Sequence, residues 1–351
     1  MHKETMTGRE RWLAVLNREK PDRIPMDIWI TPEAHDKLLK HLGCTADEAL
    51  AKLRIDTPLG VGPVYVGPTL PERQDIWGLE YAHIEYGTGN YAECVNAPLA
   101  AYCSVEEIEK NYAWPSVDSF DFSGIPAQIE GKEDRIVRGG GSEPFLLYKW
   151  LRGDEQAFLD MLMYPEIVHY CLGKLFDFAY ETTRRIFEAI PGKVSITYVA
   201  EDLGGQDSLM YSPEHIREYL IPGMKRMNKL TRQNGSHVFF HTDGSVRNIL
   251  PDFAAIGSEV LNPIQWRCPG MEREGLKRDF GQDFIFHGGV DNQHTLPFGT
   301  QEDVRQEVAE NIAILGAGGG YILAPCHNIQ SVSPAENVIA LYEAGYEYGW
   351  S

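Results

Sequence analysis

The hydrophobic and polar positions near the amino terminus predict one helix, one strand and two more helices. Between Thr7 and Arg18 the apolar side chains fall on one helical face, and Thr7 can cap that helix. From Ile24 to Ile30, apolar residues alternate with others after a proline-containing turn, which is the period of a strand. Helical periodicity returns twice between about residues 34 and 52.

From about residue 134 onwards, strand patterns alternate with helical patterns. The strand candidates, in one-letter code, are RIVRGG, KVSITYVA, SHVFFHTDG, EVLNPIQ, DFIFHGGVD and GYILAPCHN. Strands that alternate with helices of about ten residues or more imply parallel pairing through right-handed crossovers. With the strand near Ile24 and one more that the pattern leaves unplaced, the total is close to eight.

This pattern favours a closed (β/α)8 TIM barrel over an open doubly wound sheet. An open nucleotide-binding sheet usually carries GxGxxG or GxxxxGK[ST] after an early strand, and neither motif stands there. We therefore predict a single barrel domain over residues 1–351 with an N-terminal helical segment. Residues from about 56 to 120 are predicted to be an insertion or lid, in which GLEYAHIEYGTGNYAECVN has the composition of a β-hairpin.

Composition and charge narrow the classes of function. The chain has 351 residues, of which 43% are hydrophobic, so a large core is expected. It carries 32 Lys and Arg against 51 Asp and Glu, and the net charge of −19 disfavours nonspecific binding to nucleic acid or to an anionic membrane. The amino terminus lacks the pattern of a secretion signal, and no segment reaches the ~20 apolar residues of a membrane helix, so we expect a cytoplasmic protein.

The cysteines do not form a recognisable framework. Six of them are scattered along the chain without a CxxC pair, which fits neither a disulfide scaffold nor a zinc ribbon. A buried thiol is the default for each. Only a cysteine that stands at a strand end among other ligand types, as Cys326 does, suggests more.

The residues that follow the strands include the mixture of side chains that a transition metal requires. In a barrel of this kind, function collects at the carboxyl ends of the strands. His241 and Asp243 are spaced i and i+2, so both can point to one side if the strand continues, and Cys326 follows the last strand. These three donors around Zn²⁺ leave one tetrahedral position open, as in catalytic sites. The competing interpretation is a hydrogen-bonded core His241, an Asp243 that caps the next helix, and a Cys326 that is only packed.

Other strand-end residues have roles that the sequence leaves more open. Glu201 and Asp202 are adjacent, so their side chains diverge, and we expect Glu201 to face the cavity as an acid or an occasional fourth ligand. Aromatic residues at the mouth could stack on a planar ligand or could simply pack in the core. They are Trp29, Tyr198 and Trp266.

Four segments resemble the uroporphyrinogen decarboxylase superfamily over nearly the whole chain. They are RERWLAVLNREKPDRIPMDIW, HTDGSVRNILPDFAAIGSEVLNPIQ, FHGGVDNQHTLPFGT and GGGYILAPCHNIQ. The resemblance implies a (β/α)8 barrel with one of two chemistries. One is decarboxylation of a porphyrinogen without a cofactor, and the other is zinc-dependent methyl transfer to or from a corrinoid carried by a partner protein.

The resemblance is closer to the methyltransferase branch. The decarboxylases carry an arginine-rich segment after the first strand, whereas this chain reads DIWITPEAHDK and offers no arginine to a polycarboxylate substrate. The methyltransferases take their zinc ligands from an HxC motif and a distant Cys. This chain matches them at His241 and Cys326 but has Asp243 at the middle position. An oxygen donor in place of sulfur makes zinc a stronger Lewis acid, which suits an oxygen leaving group better than a thiolate nucleophile.

The resemblance therefore implies the substrate-side methyltransferase of an O-demethylase system. A methyl ether, such as a methoxylated aromatic, would give its methyl group to cob(I)alamin on a separate corrinoid protein, since this chain has no DxHxxG corrinoid motif. Glu201 or His327 would act as an acid towards the departing oxygen. The residues expected to orient the substrate are Trp29, Tyr198, Asp202, Asn262, Gln265 and Asp291.

Several alternatives stay open on the sequence alone. Transfer from methyl-corrinoid to a thiol or folate would favour two sulfur ligands. A uroporphyrinogen decarboxylase-like lyase, or a hydrolase with a zinc-bound water, would act without a corrinoid protein, and a metal-independent binding barrel would hold no zinc. The methyl donor, the direction of transfer, the third ligand (Asp243 or Glu201) and the choice between monomer and homodimer are also open.

Overall fold

The computed structural model describes residues 3–85 and 90–350. Its strands, in chain order, are β1 (Leu59–Val61), β2 (Val64–Tyr65), β3 (Tyr81–Glu85), β4 (Asn90–Cys94), β5 (Phe120–Asp121), β6 (Val137–Ser142), β7 (Ile196–Ala200), β8 (His237–His241), β9 (Val260–Asn262), β10 (Ile285–Val290) and β11 (Tyr321–Pro325).

Its α-helices are α1 (Gly8–Leu16), α2 (Pro32–Leu42), α3 (Ala46–Leu53), α4 (Val105–Asn111), α5 (Ile125–Ile129), α6 (Pro144–Arg152), α7 (Asp154–Met163), α8 (Pro165–Ala189), α9 (Pro213–His215), α10 (Ile221–Gln233), α11 (Leu250–Ala255), α12 (Arg273–Phe280), α13 (Thr295–Phe298), α14 (Gln301–Leu315) and α15 (Ala335–Tyr348). A π-helical turn (Ile216–Leu220) joins α9 to α10, and short 3₁₀ turns occur at Val117–Ser119 and Arg247–Ile249. Within the described ranges, no helix has both the length and the apolar character that crossing a lipid bilayer demands.

Seven strands form one parallel sheet that curls into the barrel. The order is β1-β6-β7-β8-β9-β10-β11, with every neighbouring pair parallel. The alternating segment near the amino terminus lies beside β11, where isolated parallel bridges join Met26 to Leu323 and Ile30 to Ile329. The backbone N–H of Asp56, just before β1, donates to the Met26 carbonyl at 2.7 Å. The predicted (β/α)8 barrel is confirmed, with residues 26–30 in the place of its first strand.

Helix α1 closes the amino-terminal end of the barrel. Thr7 caps α1 as predicted, since its hydroxyl accepts from the backbone N–H of Glu10 while the Glu10 carboxylate accepts from the N–H of Thr7. The apolar face of α1 is buried against one residue from each of five strands. These contacts join Trp12, Val15 and Leu16 to Ile196, Phe239, Val260, Ile285 and Ile322. This end of the lumen is therefore apolar, and polar chemistry is confined to the other end.

The segment predicted as an insertion contains a hairpin and also one strand of the barrel. β3 and β4 pair antiparallel, with Tyr81 opposite Cys94, in agreement with the hairpin prediction. The Gly-Thr-Gly turn predicted at residues 87–89 lies outside the described residues. β2 and β5 form a second antiparallel pair. The strand that the sequence pattern leaves unplaced is β1, so the barrel itself occupies part of the 56–120 segment.

Candidate metal centre

Polar side chains form the next layer of the lumen above the apolar layer that contacts α1. Because every second residue of a strand faces the same way, each strand presents another lumen residue two positions after the first. The residues of this second layer are Tyr198 in β7, His241 in β8, Asn262 in β9 and His287 in β10. Trp29 joins them, with its ring centroid 6.3 Å from that of Tyr198 and 5.4 Å from that of His241.

Four buried side chains form a hydrogen-bond relay across this layer. Asn262 Oδ1 lies 2.6 Å from His241 Nδ1, and Asn262 Nδ2 lies 2.7 Å from His287 Nδ1. His287 Nε2 lies 3.0 Å from Asp27 Oδ2. All four residues are at most 3% exposed, so bulk water does not compete for these bonds.

Asp27 fixes the direction of every hydrogen bond in the relay. Burial alone would raise the pKa of Asp27, but hydrogen bonds, first of all the one from His287, hold it below its ordinary value. A carboxylate only accepts, so His287 Nε2 donates to it, and when that is the one proton on the ring, Nδ1 accepts from the Asn262 amide N–H. The Asn262 carbonyl then faces His241 and accepts from its Nδ1. The lone pair of His241 is left on Nε2, as a metal ligand requires.

His241 Nε2 points at a cluster of acidic and imidazole groups. The ligand atoms of His241, Asp243 and His327 all lie within 4.8 Å of one another. His241 Nε2 is 3.5 Å from Asp202 Oδ1, and His327 Nε2 is 3.8 Å from Asp243 Oδ2. A nitrogen lone pair that faces carboxylate oxygens is repelled by them, so a cation between these groups would stabilise the arrangement.

The donor set of His241, Asp243 and His327 fits a divalent metal ion. Asp243 Oδ1 is buried and accepts no hydrogen bond from the described part of the chain. Leaving a buried acceptor without a partner typically destabilises the folded state by roughly 1–3 kcal/mol. Burial raises the pKa of Asp243 despite the opposing effect of the two histidines. A bound ion would satisfy that oxygen and hold the carboxylate ionised. Two imidazoles and one carboxylate are also the protein ligands of some catalytic zinc sites.

Cys326, the third ligand predicted from the sequence, lies outside this group. Its thiol donates to the carbonyl of Ile264 at 3.1 Å and is 4% exposed. Burial raises the pKa of the thiol well above its ordinary value, and the charges of Glu307 and Asp291 add to the effect. β11 ends at Pro325, one residue earlier, and His327 rather than Cys326 reaches the group. His327, which the sequence interpretation expects to act as an acid, lies in this group at the place predicted for the thiol.

The structure turns Glu201 away from the metal group and places Asp202 beside it. The buried Glu201 carboxylate accepts from the backbone N–H groups of Phe145 at 2.6 Å and Leu146 at 3.3 Å, in the first turn of α6. Burial raises its pKa well above the ordinary value. Both oxygens therefore face the helix rather than the metal group. Asp202 is the carboxylate that faces His241, and it also accepts from the N–H of Asp243 at 3.3 Å.

Tyr198 and Glu143 can both hold a proton near this group. Burial raises the pKa of Tyr198, and the charges of Glu143, Asp202 and Asp243 add to the effect. Burial, followed by the charge of Asp202, raises the pKa of Glu143 to about 7. A phenol that stays protonated and a carboxyl group that titrates near neutrality are both suited to proton transfer.

Two residues predicted to orient substrate make hydrogen bonds that hold loops in place. Gln265 Oε1 accepts from the N–H of Gly244 and so fixes the turn after β8. Asp291 accepts from Arg267 Nε at 2.5 Å and from the N–H of Gln293 at 2.8 Å. Asn262, a third, belongs to the relay.

A cavity of about 570 Å³ opens beside the metal group at the mouth of the barrel. It is lined by Asp27, Ile28, Trp29, Ile30, Thr57, Pro58, Arg138, Gly140, Tyr198 and Asn328. The ring centroids of Trp29 and Tyr198 each lie 5.4 Å from that of His241, so two side chains of the cavity wall contact a residue of the metal group. Its volume is in the range of pockets that hold small organic ligands. Trp29 and Tyr198, predicted to contact substrate, are part of its wall.

Three residues of this region carry no role in the sequence interpretation: Asp27, His287 and Arg138. The i, i+2 step from Ile285 to His287 repeats the step from Phe239 to His241, and that signal could have found His287. Nothing local distinguishes Asp27, because its partner lies 260 residues away.

Comparison with known proteins links the chain to one family. The sequence profile described as Uroporphyrinogen decarboxylase (URO-D) matches residues 134–348, more than half of the chain. A uroporphyrinogen decarboxylase of Carboxydothermus hydrogenoformans is 27% identical over 226 residues, which cover 64% of this chain but only 57% of that relative.

Two methyltransferases match nearly end to end. The methylcobamide:CoM methyltransferase MtaA of Methanosarcina barkeri is 25% identical over 359 residues, which cover 97% of this chain and 98% of the relative. Among solved structures, a methyltransferase from Methanosarcina mazei aligns with a TM-score of 0.69 at 21% identity, over 98% of this chain and 99% of that one. The structural similarity shows a shared fold.

Proposed function

The chain belongs to the uroporphyrinogen decarboxylase (URO-D) family, and on that basis we propose that it is a corrinoid-dependent methyltransferase. In the proposed reaction, a methyl group passes from a methyl ether, such as a methoxylated aromatic, to the cobalt(I) corrinoid of a partner protein. The similarity to a methylcobamide:CoM methyltransferase over 97% of the chain supports this branch of the family.

The convergence of His241, Asp243 and His327 beside the cavity is the observation that carries the proposal. Nitrogen and oxygen donors leave Zn²⁺ less electron-rich than thiolates do, and so make it a stronger Lewis acid. When bound, such an ion would polarise the ether oxygen and favour its departure.

The chain's own side chains would position the ether and stabilise the departing oxygen. Trp29 and Tyr198 line the cavity, where their rings would pack against an aromatic group. The Tyr198 hydroxyl, whose pKa is raised by burial, can donate a hydrogen bond to an oxygen that gains negative charge. Glu143, with a pKa near 7, can supply the proton that the alkoxide or phenolate needs.

The proposed transfer breaks one bond to the methyl carbon and forms another. The bond between the methyl carbon and the ether oxygen breaks, and its electron pair stays on the oxygen. The bond between the methyl carbon and cobalt forms from the electron pair that cobalt(I) supplies. One proton converts the departing oxygen to an alcohol or phenol.

Porphyrinogen decarboxylation has weaker support. A substrate with several carboxylates needs several cations, and Arg138 is the only Lys or Arg among the residues described as lining the cavity.

The proposal is tested by measuring metal content and methyl transfer on the same protein. The purified chain is expected to bind about one zinc ion and to convert cob(I)alamin and a methoxylated phenol to methylcobalamin, followed by absorbance. Asp243→Ala should lose both properties, because it removes one donor from the group. Asp207→Ala removes an exposed aspartate from a nearby loop and should keep both.

Three results would contradict the proposal. Formation of methylcobalamin only from a thioether or an amine would exclude a methyl ether as the donor. Turnover of substrate without any corrinoid would indicate a lyase or hydrolase. Full methyl transfer by a zinc-free chain would exclude the metal group.

Methyl transfer in the opposite direction is a second candidate, favoured by the similarity to methylcobamide:CoM methyltransferase. The same assay, started from methylcobalamin and a thiol, tests it. Faster transfer to the thiol than from the methoxylated phenol would reverse the assignment.

A further inference from the structure

We propose that Arg138 forms an anion subsite in the cavity beside the metal group, and that the methyl donor carries one oxyanion, a carboxylate or a sulfonate, which this guanidinium binds. That the bound molecule is a methyl donor rests on the proposed function, whereas the subsite rests on the geometry of the cavity.

Arg138 faces the lumen because its neighbours on β6 face the surrounding helices. Val137 packs in a cluster with Ile186 and Val194, and a Cβ placed on Gly139 would lie 3.1 Å from each of those two side chains. Side chains alternate along a strand, so Arg138 projects to the opposite face. There it lines the 570 Å³ cavity.

The Arg138 guanidinium is exposed to this cavity and unpaired. It makes no hydrogen bond or ion pair with any residue in the ranges 3–85 and 90–350. Asp27 lines the same cavity, but its oxygens already accept from the N–H of Ile28 at 2.8 Å and from the Trp29 indole at 3.1 Å. The same carboxylate also accepts from His287. Arg138 therefore remains available to a ligand.

Arg11 and Arg152, which unlike Arg138 are buried, have carboxylate partners. Arg11 pairs with Asp22 at 2.7 Å and with Asp56 at 2.6 Å. Arg152 pairs with Asp160 at 2.6 Å. These pairs hold the structure together, whereas Arg138 has no partner of that kind among the described residues.

The charges around the cavity explain why an anionic ligand would need this cation. Glu143, Asp202 and Asp243 all act on Tyr198 in the cavity wall, and the whole chain carries a charge of −19. An anion that enters this field is repelled unless a fixed cation offsets it. A guanidinium binds a carboxylate through two parallel hydrogen bonds, which fixes the orientation of the ligand as well as its position.

The subsite defines which end of the ligand faces the metal. With the oxyanion at Arg138, an aromatic ring would lie along Trp29 and Tyr198, and the methoxy group would point towards His241. The substrate class is then an aromatic acid with an ether on the side of the ring away from the acid group.

Binding to the zinc-loaded chain, measured by calorimetry without corrinoid, tests the subsite independently of methyl transfer. The probes are 4-methoxybenzoate, 4-methoxybenzenesulfonate and the neutral 4-methoxybenzamide. At least one anion is expected to bind about tenfold more tightly than the amide, and the tighter anion identifies the oxyanion. Arg138→Gln should abolish that preference and leave the midpoint of thermal unfolding unchanged.

Arg73→Gln is the matched control, because Arg73 is exposed, outside the cavity lining and likewise without a described side-chain partner. It should keep the preference for the anion. Equal binding of all three probes, no binding of any probe, or a preference that survives in Arg138→Gln would overturn the subsite. If the anion preference depends on Arg138 but no ether methylates cob(I)alamin, only the proposed function is overturned. If an ether methylates cob(I)alamin but the anion preference does not depend on Arg138, only the subsite is overturned.

Discussion

A single amide side chain, Asn262, decides how His241 presents its ring to the metal group. Its carbonyl accepts from His241 at 2.6 Å, and its N–H donates to His287 at 2.7 Å, so both rings are held by one residue. Partners of this kind fix the tautomer and orientation of a metal-binding histidine.

We predict that Asn262→Leu weakens zinc binding by about 10–100-fold, because His241 loses the acceptor that places its lone pair on Nε2. Competition with a chromophoric chelator measures the affinity. Asn228→Leu is the matched control, since Asn228 is equally buried but bonds to Ile256 and Ser258. Equal zinc affinity in the two variants would mean that the relay does not act on the metal.

A second prediction at the residue scale concerns Cys326 and His327. We expect His327→Ala to lose the ion and Cys326→Ser to keep it, because His327 lies in the ligand group and Cys326 bonds to Ile264. The cobalt(II)-substituted protein should lack the near-ultraviolet charge-transfer band of a thiolate ligand. A strong band that disappears in Cys326→Ser would restore the ligand set expected from the sequence.

At the scale of the elements, the amino terminus of α6 is hydrogen-bonded to the carboxyl group of Glu201 at the barrel mouth. Glu201 accepts from the N–H groups of Phe145 and Leu146, which have no partner inside the helix. This contact connects the end of β7 to the start of α6.

We predict that the wild-type chain loses stability relative to Glu201→Gln as the pH rises. Burial raises the pKa of Glu201 above its ordinary value of 4.5, so between the two values the native state binds more protons than the unfolded state. The free energy of unfolding of the wild type should then fall by up to about 1.4 kcal/mol per pH unit in that window.

Denaturant titrations of the two proteins at several pH values measure this difference. Glu106→Gln, an exposed change in the first turn of α4, should follow the wild type. A difference between wild type and Glu201→Gln that does not depend on pH would contradict the prediction.

At the scale of the whole molecule, the barrel is closed at one end and open at the other. α1 seals the amino-terminal end with Trp12, which is fully buried and donates from its indole N–H to the Asp56 carbonyl at 2.8 Å. The polar layer above it opens towards the cavity, so a ligand would enter from the carboxyl ends of the strands.

We predict that Trp12→Ala lowers the free energy of unfolding by about 3–5 kcal/mol, because it leaves a large void between α1 and the lumen. Trp150→Ala, which truncates a tryptophan that is 38% exposed, should cost much less. Similar losses in both variants, measured by denaturant unfolding, would show that α1 does not seal the barrel.

The sequence by itself determined what depends on neighbours along the chain. Alternation of strand and helix patterns predicts the barrel, the Thr7 cap predicts the start of α1, and the i, i+2 step places His241 and Asp243 together. These features follow from local periodicity, because the strand period of two and the helix period of 3.6 are visible within a few neighbouring positions.

Tertiary structure decided what depends on closure of the barrel. Asp27 and His287 are 260 residues apart and meet only because the first and later strands line one lumen. Cys326 and His327 are adjacent, and which of them reaches the metal group is set by where β11 ends and what packs beside it. Side-chain direction after a strand and contacts across a barrel arise from packing in three dimensions, and the linear pattern does not encode them residue by residue.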